Sequence, residues 1–246
     1  MAKTQPAGLE LPNYLIQIDL LGVSDPHISR TLSVPPLTTF HTLHCAIQVA
    51  FNWKNAHLHH FEVLDAPPTT NVSRPYEHRL FRSRAPSLLK LEPDPEPNDY
   101  DDGVISKNSK RWKLVDVFEK QRYKNKQVEY LYDFGDNWEH SITLIGRADT
   151  STSSIICLSG EGGHAAEDCG GVTGWQELKT LYAEHQREEE GECTDPSAHE
   201  RMEWYEDDCL NGQKLGLTPG AWDKEAINRE FAATIGLMKR IGRGAG

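Results

Sequence analysis

The sequence predicts an α+β fold in which an antiparallel sheet built from hairpins packs against helices, and three observations carry the prediction. Apolar and polar residues alternate over YLIQIDLL (residues 14–21) and again over ISRTLSV (28–34), the period of a half-buried strand. VEYLYDF and WEHSITLI alternate in the same way on either side of Gly135-Asp136-Asn137, and glycine beside Asp and Asn suits the positive φ of a tight turn. The last third is helical: Trp175, Leu178, Leu181 and Tyr182 fall on one stripe, and Ile227, Phe231, Ile235 and Met238 on another.

Taken in order, the first two alternating runs form an antiparallel pair. After Pro36, Thr38 or Thr39 caps a helix whose Phe40, Leu43, Ile47, Ala50 and Phe51 recur at helical spacing and which ends near Trp53. HLHHFEVL (57–64) is extended, with His57 and His59 on one face of a strand and His60 on the other. Residues 65–103, with DAPPTT and LEPDPEPNDYDDG, are rich in proline and acid and poor in periodic apolar positions, so they read as a loop inserted into the domain. The whole chain, 1–246, is expected to be one domain with a helical extension from about 172.

At 246 residues the chain can bury a core without a covalent staple, and five scattered cysteines fit a reducing compartment better than a disulfide framework. MAKTQPAGLELP has no signal-like apolar run and no eighteen apolar residues stand together. The expectation is a soluble cytoplasmic protein with no membrane partner; its oligomeric state is open. A formal charge of −11 argues against indiscriminate binding of nucleic acid. The charge is uneven, however. Lys107, Lys110, Arg111, Lys113, Lys120, Arg122, Lys124 and Lys126 form a basic island with Trp112 and Tyr123 interleaved, either an ordinary lysine-rich surface or a place for phosphate to dock. From Glu184 to Asp208 acids run almost unopposed, as a solvated helix face or an extended loop would.

The densest chemistry lies in YLYDFGDNWEH, residues 130–140. Asp133, Asp136 and Glu139 beside Tyr132, Phe134 and Trp138 offer paired carboxylates and ring faces, a combination suited to a planar cation. Equally, Asp136 and Asn137 could only shape the turn, with the rings in the core. His140, together with His57, His59 and His60, could move protons.

With NWKNAHLHHFEVL upstream and CLSGEGGHAAEDCGG downstream, this stretch resembles the plasmid pRiA4b ORF-3-like family, also called MM3350-like, from about Tyr14 to Leu181 and more weakly through AWDKEAINREF. Fungal relatives resemble arginine-containing cyclodipeptide synthases, which join arginine and a second amino acid delivered by aminoacyl-tRNAs. What the resemblance implies is a diketopiperazine-forming enzyme whose partners are aminoacyl-tRNAs, arginyl-tRNA among them. The ester is already activated, so no cofactor is expected, and no phosphate-binding glycine fingerprint is present. The expected roles are His140, Glu139 and His59 in catalysis. Asp133, Asp136, Trp138, Tyr132, Glu167 and Asp168 would hold substrate, and Lys107, Lys110, Arg111, Lys113, Arg122 and Lys124 would hold tRNA. The competing class is a non-catalytic module that binds protein or nucleic acid.

Two questions stay open at this level. An acyl-enzyme could form on Cys45, Ser159 or Cys169, with no G-x-S-x-G signature to choose among them. Cys157, His164 and Cys169 could hold zinc, His164 standing where relatives carry cysteine. Their spacing is not the tight C-x2-C of known zinc modules, so the loop is expected to be metal-free, with Glu167 and Asp168 acting through charge.

Overall fold

The alternation at residues 14–20 becomes β1 (Tyr14–Leu20), with Tyr14, Ile16, Ile18 and Leu20 wholly buried. It pairs antiparallel with β2 (Ser29–Val34), Ile16 opposite Leu32. A computed structural model describes residues 11–68, 85–95, 104–185, 196–214 and 216–244. Its further strands are β3 (His59–Leu64), β4 (Ser87–Glu92), β5 (Ile105–Asn108), β6 (Gln127–Tyr132), β7 (Trp138–Arg147) and β8 (Ile156–Glu161). Together they make one eight-stranded sheet, ordered β5-β4-β3-β6-β7-β1-β2-β8. Every neighbouring pair is antiparallel except β4 and β5. The α+β expectation holds.

Two strands lie where loop was expected. Within 65–103, Leu89 and Leu91 alternate with Lys90 and Glu92, too briefly to outweigh the proline-rich flanks; pairing with β3 buries both leucines and supplies the strand. Residues 69–84 and 96–103 of that segment lie outside the described residues. The glycine-rich stretch from Cys157 likewise begins as β8, because the edge of β2 offers it a partner.

Of the two candidate caps, Thr39 is the one used: its Oγ1 accepts the Thr42 N–H at 3.1 Å, opening α1 (Phe40–Ala50). Helix α2 (Leu114–Phe118) sits inside the basic island. Helix α3 (Gly171–His185) buries Trp175, Leu178 and Tyr182. The acidic run contains α4 (Pro196–Glu203), which widens into a π turn at Trp204–Asp208; residues 186–195 lie outside the described part. On α5 (Lys224–Gly244) Phe231 is buried and Ile227 packs on the core. The side chains of Ile235 and Met238 lie outside the described residues. Among the described residues no helix is long and apolar enough to cross a membrane.

The cross-strand register sorts the sheet into two faces, since directly opposed residues point the same way. His59, Tyr132 and Trp138 share one face, as do Phe61, Tyr130 and His140. Helix α1 covers this face, Phe40 meeting Phe61 edge-on at 5.0 Å. The other face carries Gln17, Asp19, Thr31, Glu62, Glu129, Glu139, Ser141 and Thr143. Arg30 is an exception, a buried cation on the apolar face. Its guanidinium donates to the carbonyls of Ser29, Ala50, Glu161, Gly162 and Gly163 and lies over the rings of Phe51 and Trp222. One side chain thus ties the end of α1 to the segment after β8, which carries Glu167 and Asp168.

Candidate functional site

At one end of the sheet, the β6–β7 turn, the segment leading into β3 and the segment leading into α3 meet. Their junction is a hydrogen bond: the Tyr132 hydroxyl donates to Glu167 Oε1 at 2.6 Å and itself accepts the Ala56 N–H at 3.0 Å. Glu167 is 1% exposed. Its second oxygen accepts the Lys54 N–H, and its own N–H donates to Asn211. Burial and this hydrogen bond push the Tyr132 hydroxyl far above its ordinary range, so it remains a donor. Trp53 stacks on Tyr132 with centroids 4.9 Å apart, sealing the junction from below.

Because residues 132 and 167 are clamped together, the residues that follow them are brought together too. Asp133 and Asp168 both adopt left-handed backbone, φ 59 and 58. Between them lies His57, whose Nε2 is 3.0 Å from Asp168 Oδ1 and 3.7 Å from Asp133 Oδ2. The Oδ1 of Asp133 accepts the Gly135 N–H at 2.8 Å, which turns its other oxygen toward His57. The positive φ of this turn falls on Asn137, one of the three residues expected to supply it, and on Asp133 just before them, not on Gly135. Asp136 Oδ2 accepts the Gly170 N–H at 3.2 Å. Gly171, with φ +67, lets the first turn of α3 approach; a Cβ there would stand 2.3 Å from the Asp136 carbonyl oxygen.

The acids lie beside two exposed apolar residues in the chain, Leu58 at 69% and Phe134 at 48%, the Phe134 ring packing on His60 at 5.4 Å. Among the described residues no lysine or arginine pairs with Asp133, Asp136, Glu167 or Asp168. The ligand atoms of His57, Asp133 and Asp168 lie within 4.8 Å of one another, so these are the residues able to hold a metal ion.

The structure therefore brings Asp133, Asp136 and Asp168 of the predicted substrate set to one cleft. It places Tyr132, Trp138 and Glu167 beneath it as buried support. The expected catalytic trio does not assemble. Glu139 is on the opposite sheet face from His140, as adjacent strand residues must be. His140 is wholly buried, edge-on to Phe51 and Trp53. His59 stacks flat on His44, ring centroids 3.4 Å apart, and burial holds the pair neutral, His44 down to about 4 and His59 down to about 3. His44 is fixed by Tyr130 and Asn55. What the sequence did not disclose is the junction of His57 with the two aspartates: β3 begins only at His59, so His57 shares no strand face with it and turns to the cleft instead.

Burial raises the thiol of Cys45 to about 11 and that of Cys169 far above its ordinary range, leaving both poor nucleophiles. Ser159 lies on β8, opposite Thr31. Cys157, His164 and Cys169 each face a different acceptor, the carbonyls of Ser159, Asn211 and Gly171, and do not converge.

In the basic island, Lys110 pairs with Asp94, Lys120 with Asp116 and Lys126 with Asp65. The Lys113 backbone N–H donates to Asp116 Oδ2 at the start of α2, and Arg122 lies over Tyr123. Lys107, Arg111 and Lys124 are exposed. Tyr123 is buried and Trp112 packs edge-on against it at 5.9 Å, so these rings are occupied within the fold and not presented for base stacking.

The sequence profile described as "Plasmid pRiA4b ORF-3-like protein" matches residues 13–230. The chain is 28% identical over 169 residues to the uncharacterized protein y4hQ of Sinorhizobium fredii (strain NBRC 101917 / NGR234), covering 68% of this chain and 72% of that one. Its fold is similar to the crystal structure of MM3350 from Methanosarcina mazei Go1, a protein of unknown function. That match has a TM-score of 0.60 and 27% identity, and covers 88% of this chain and 96% of the other.

Proposed function

The chain belongs to the plasmid pRiA4b ORF-3-like family, and within it we propose an arginine-containing cyclodipeptide synthase that draws arginine and a second amino acid from aminoacyl-tRNAs. The observation that carries this reading is the acidic cleft: Asp133, Asp136 and Asp168 converge with no lysine or arginine paired to them among the described residues. Such a cleft favours a cationic ligand, and a guanidinium matches carboxylates in bidentate fashion while its plane can lie on an exposed ring such as Phe134. His57 is the base at hand for the attacking amine, and the exposed Lys107, Arg111 and Lys124 would meet the phosphates of tRNA.

The burial of His59 and His140 away from the cleft favours a second reading, a non-catalytic module that binds a cationic segment of a protein through the same acids. Mass spectrometry of small molecules from a host expressing this chain alone separates the two. The synthase reading expects an arginine-containing diketopiperazine that falls at least about tenfold with Asp136→Asn, which keeps the Gly170 hydrogen bond but removes a charge. A host extract with no new cyclodipeptide would overturn the synthase and leave the binding module.

A further inference from the structure

We propose that His57, Asp133 and Asp168 form a binding site for one divalent transition-metal ion, zinc or manganese, at the inner end of the cleft. The inference goes beyond the synthase reading and does not depend on it.

The geometry is that of ligands around a common point. Zinc held by nitrogen and oxygen at about 2.0–2.1 Å in a tetrahedron sets its ligand atoms about 3.3 Å apart. His57 Nε2 stands 3.0 Å from one carboxylate oxygen and 3.7 Å from the other, and all three atoms fall within 4.8 Å of each other. The nitrogen is shut off from solvent and makes no hydrogen bond, although two acceptors surround it. A ring nitrogen flanked by two carboxylate oxygens and hydrogen-bonded to neither is placed as a metal ligand would be.

The donors are also held in place. The Tyr132–Glu167 hydrogen bond fixes the two loops, and Gly135 fixes the Asp133 carboxylate through the oxygen that does not face His57. One imidazole nitrogen with two carboxylate oxygens suits zinc or manganese better than a soft thiolate-seeking ion. Three protein ligands leave coordination positions open, where water or a substrate carbonyl would enter. The ion takes Asp133 Oδ2 and Asp168 Oδ1, and Asp136 remains for a substrate's cation.

Calorimetry on the full chain, stripped with chelator and dialysed, should find about one equivalent of Mn2+, an ion with little appetite for the buried thiols, and Zn2+ should raise the thermal midpoint. Asp168→Asn, at an exposed position, should weaken Mn2+ binding at least about tenfold, and so should His57→Gln if circular dichroism shows it folded. No binding of either ion at millimolar concentration, or an affinity that Asp168→Asn leaves unchanged, would overturn the site. Because the readout is binding, its failure leaves the synthase reading standing, and the absence of a cyclodipeptide leaves the metal site standing.

Discussion

The acidic cleft and the basic island are both dense in charge, but they settle it in opposite ways. In the island nearby aspartates answer three of the lysines: Asp94 reaches Lys110 at 3.1 Å, Asp116 reaches Lys120 at 2.9 Å and Asp65 reaches Lys126 at 2.5 Å. Exposed pairs of this kind contribute about 0–1 kcal/mol each. In the cleft Asp133, Asp136 and a buried glutamate accept hydrogen bonds from backbone N–H groups and Tyr132, while Asp168 lies 3.0 Å from the His57 imidazole. Neutralised charge is compatible with plain surface. Carboxylates with no lysine or arginine paired to them among the described residues are what the proposed cationic ligand would meet.

The largest expected effect tests whether the cleft is held as described. Glu167→Ala leaves the Tyr132 hydroxyl and the Lys54 N–H without their acceptor in a buried place, which should cost about 3 kcal/mol in urea unfolding, given about 1–3 kcal/mol per orphaned group. A loss below about 1 kcal/mol would mean the two loops are joined by something else.

A second effect concerns the layer beneath the acids, where burial excludes charge. His44 and His59 are held neutral in the fold down to about 4 and about 3, whereas the unfolded chain takes up these protons near pH 6.5. Below that pH the unfolded state binds more protons, so stability should fall between roughly pH 6.5 and 4, by up to about 1.4 kcal/mol per pH unit for each histidine. Urea midpoints measured across that range should show the decline, and His59→Gln should flatten it. An unaltered slope would mean that His59 is protonated in the fold.

The smallest effect sharpens the contrast from the island's side. Lys107, Arg111 and Lys124 changed together to Glu should weaken tRNA binding about tenfold. The log–log salt dependence should flatten by about two units, at about 0.7 for each phosphate that is no longer neutralised. Alanine at Lys110, Lys120 and Lys126, whose charges are already answered, should do less. Equal effects from the two triples would erase the distinction between answered and unanswered cations.

How legible each part was in the sequence follows the range of the forces involved. The strands at 14–20, 29–34, 127–132 and 138–147 and the capped helix at 40–50 were visible because alternation, helical spacing and an N-cap act within a few residues. β4 and β8 were not, since a short strand is specified by the neighbour it pairs with. The same limit governed the site. The two short acidic segments that supply Asp133, Asp136 and Asp168 were readable from the crowding of charge in each. That Glu139 and His140 face apart was implicit in strand geometry, yet these two were grouped by closeness in sequence.

By itself the sequence determined the fold class and the two acidic segments, because composition and periodicity are local properties of the chain, and its motifs carried the resemblance to the family. Tertiary structure alone decided which acids stand together. The Tyr132–Glu167 hydrogen bond spans 35 residues, the contact of His57 with Asp168 joins segments on either side of β6 and β7, and Arg30 reaches Gly163 across 133 residues. Burial then sorted the candidates: Glu167, Trp138, His59 and His140 went into the core as support, and His57, Asp133, Asp136 and Asp168 met at the cleft. Desolvation depends on every neighbour at once, so no short stretch of the chain could declare it.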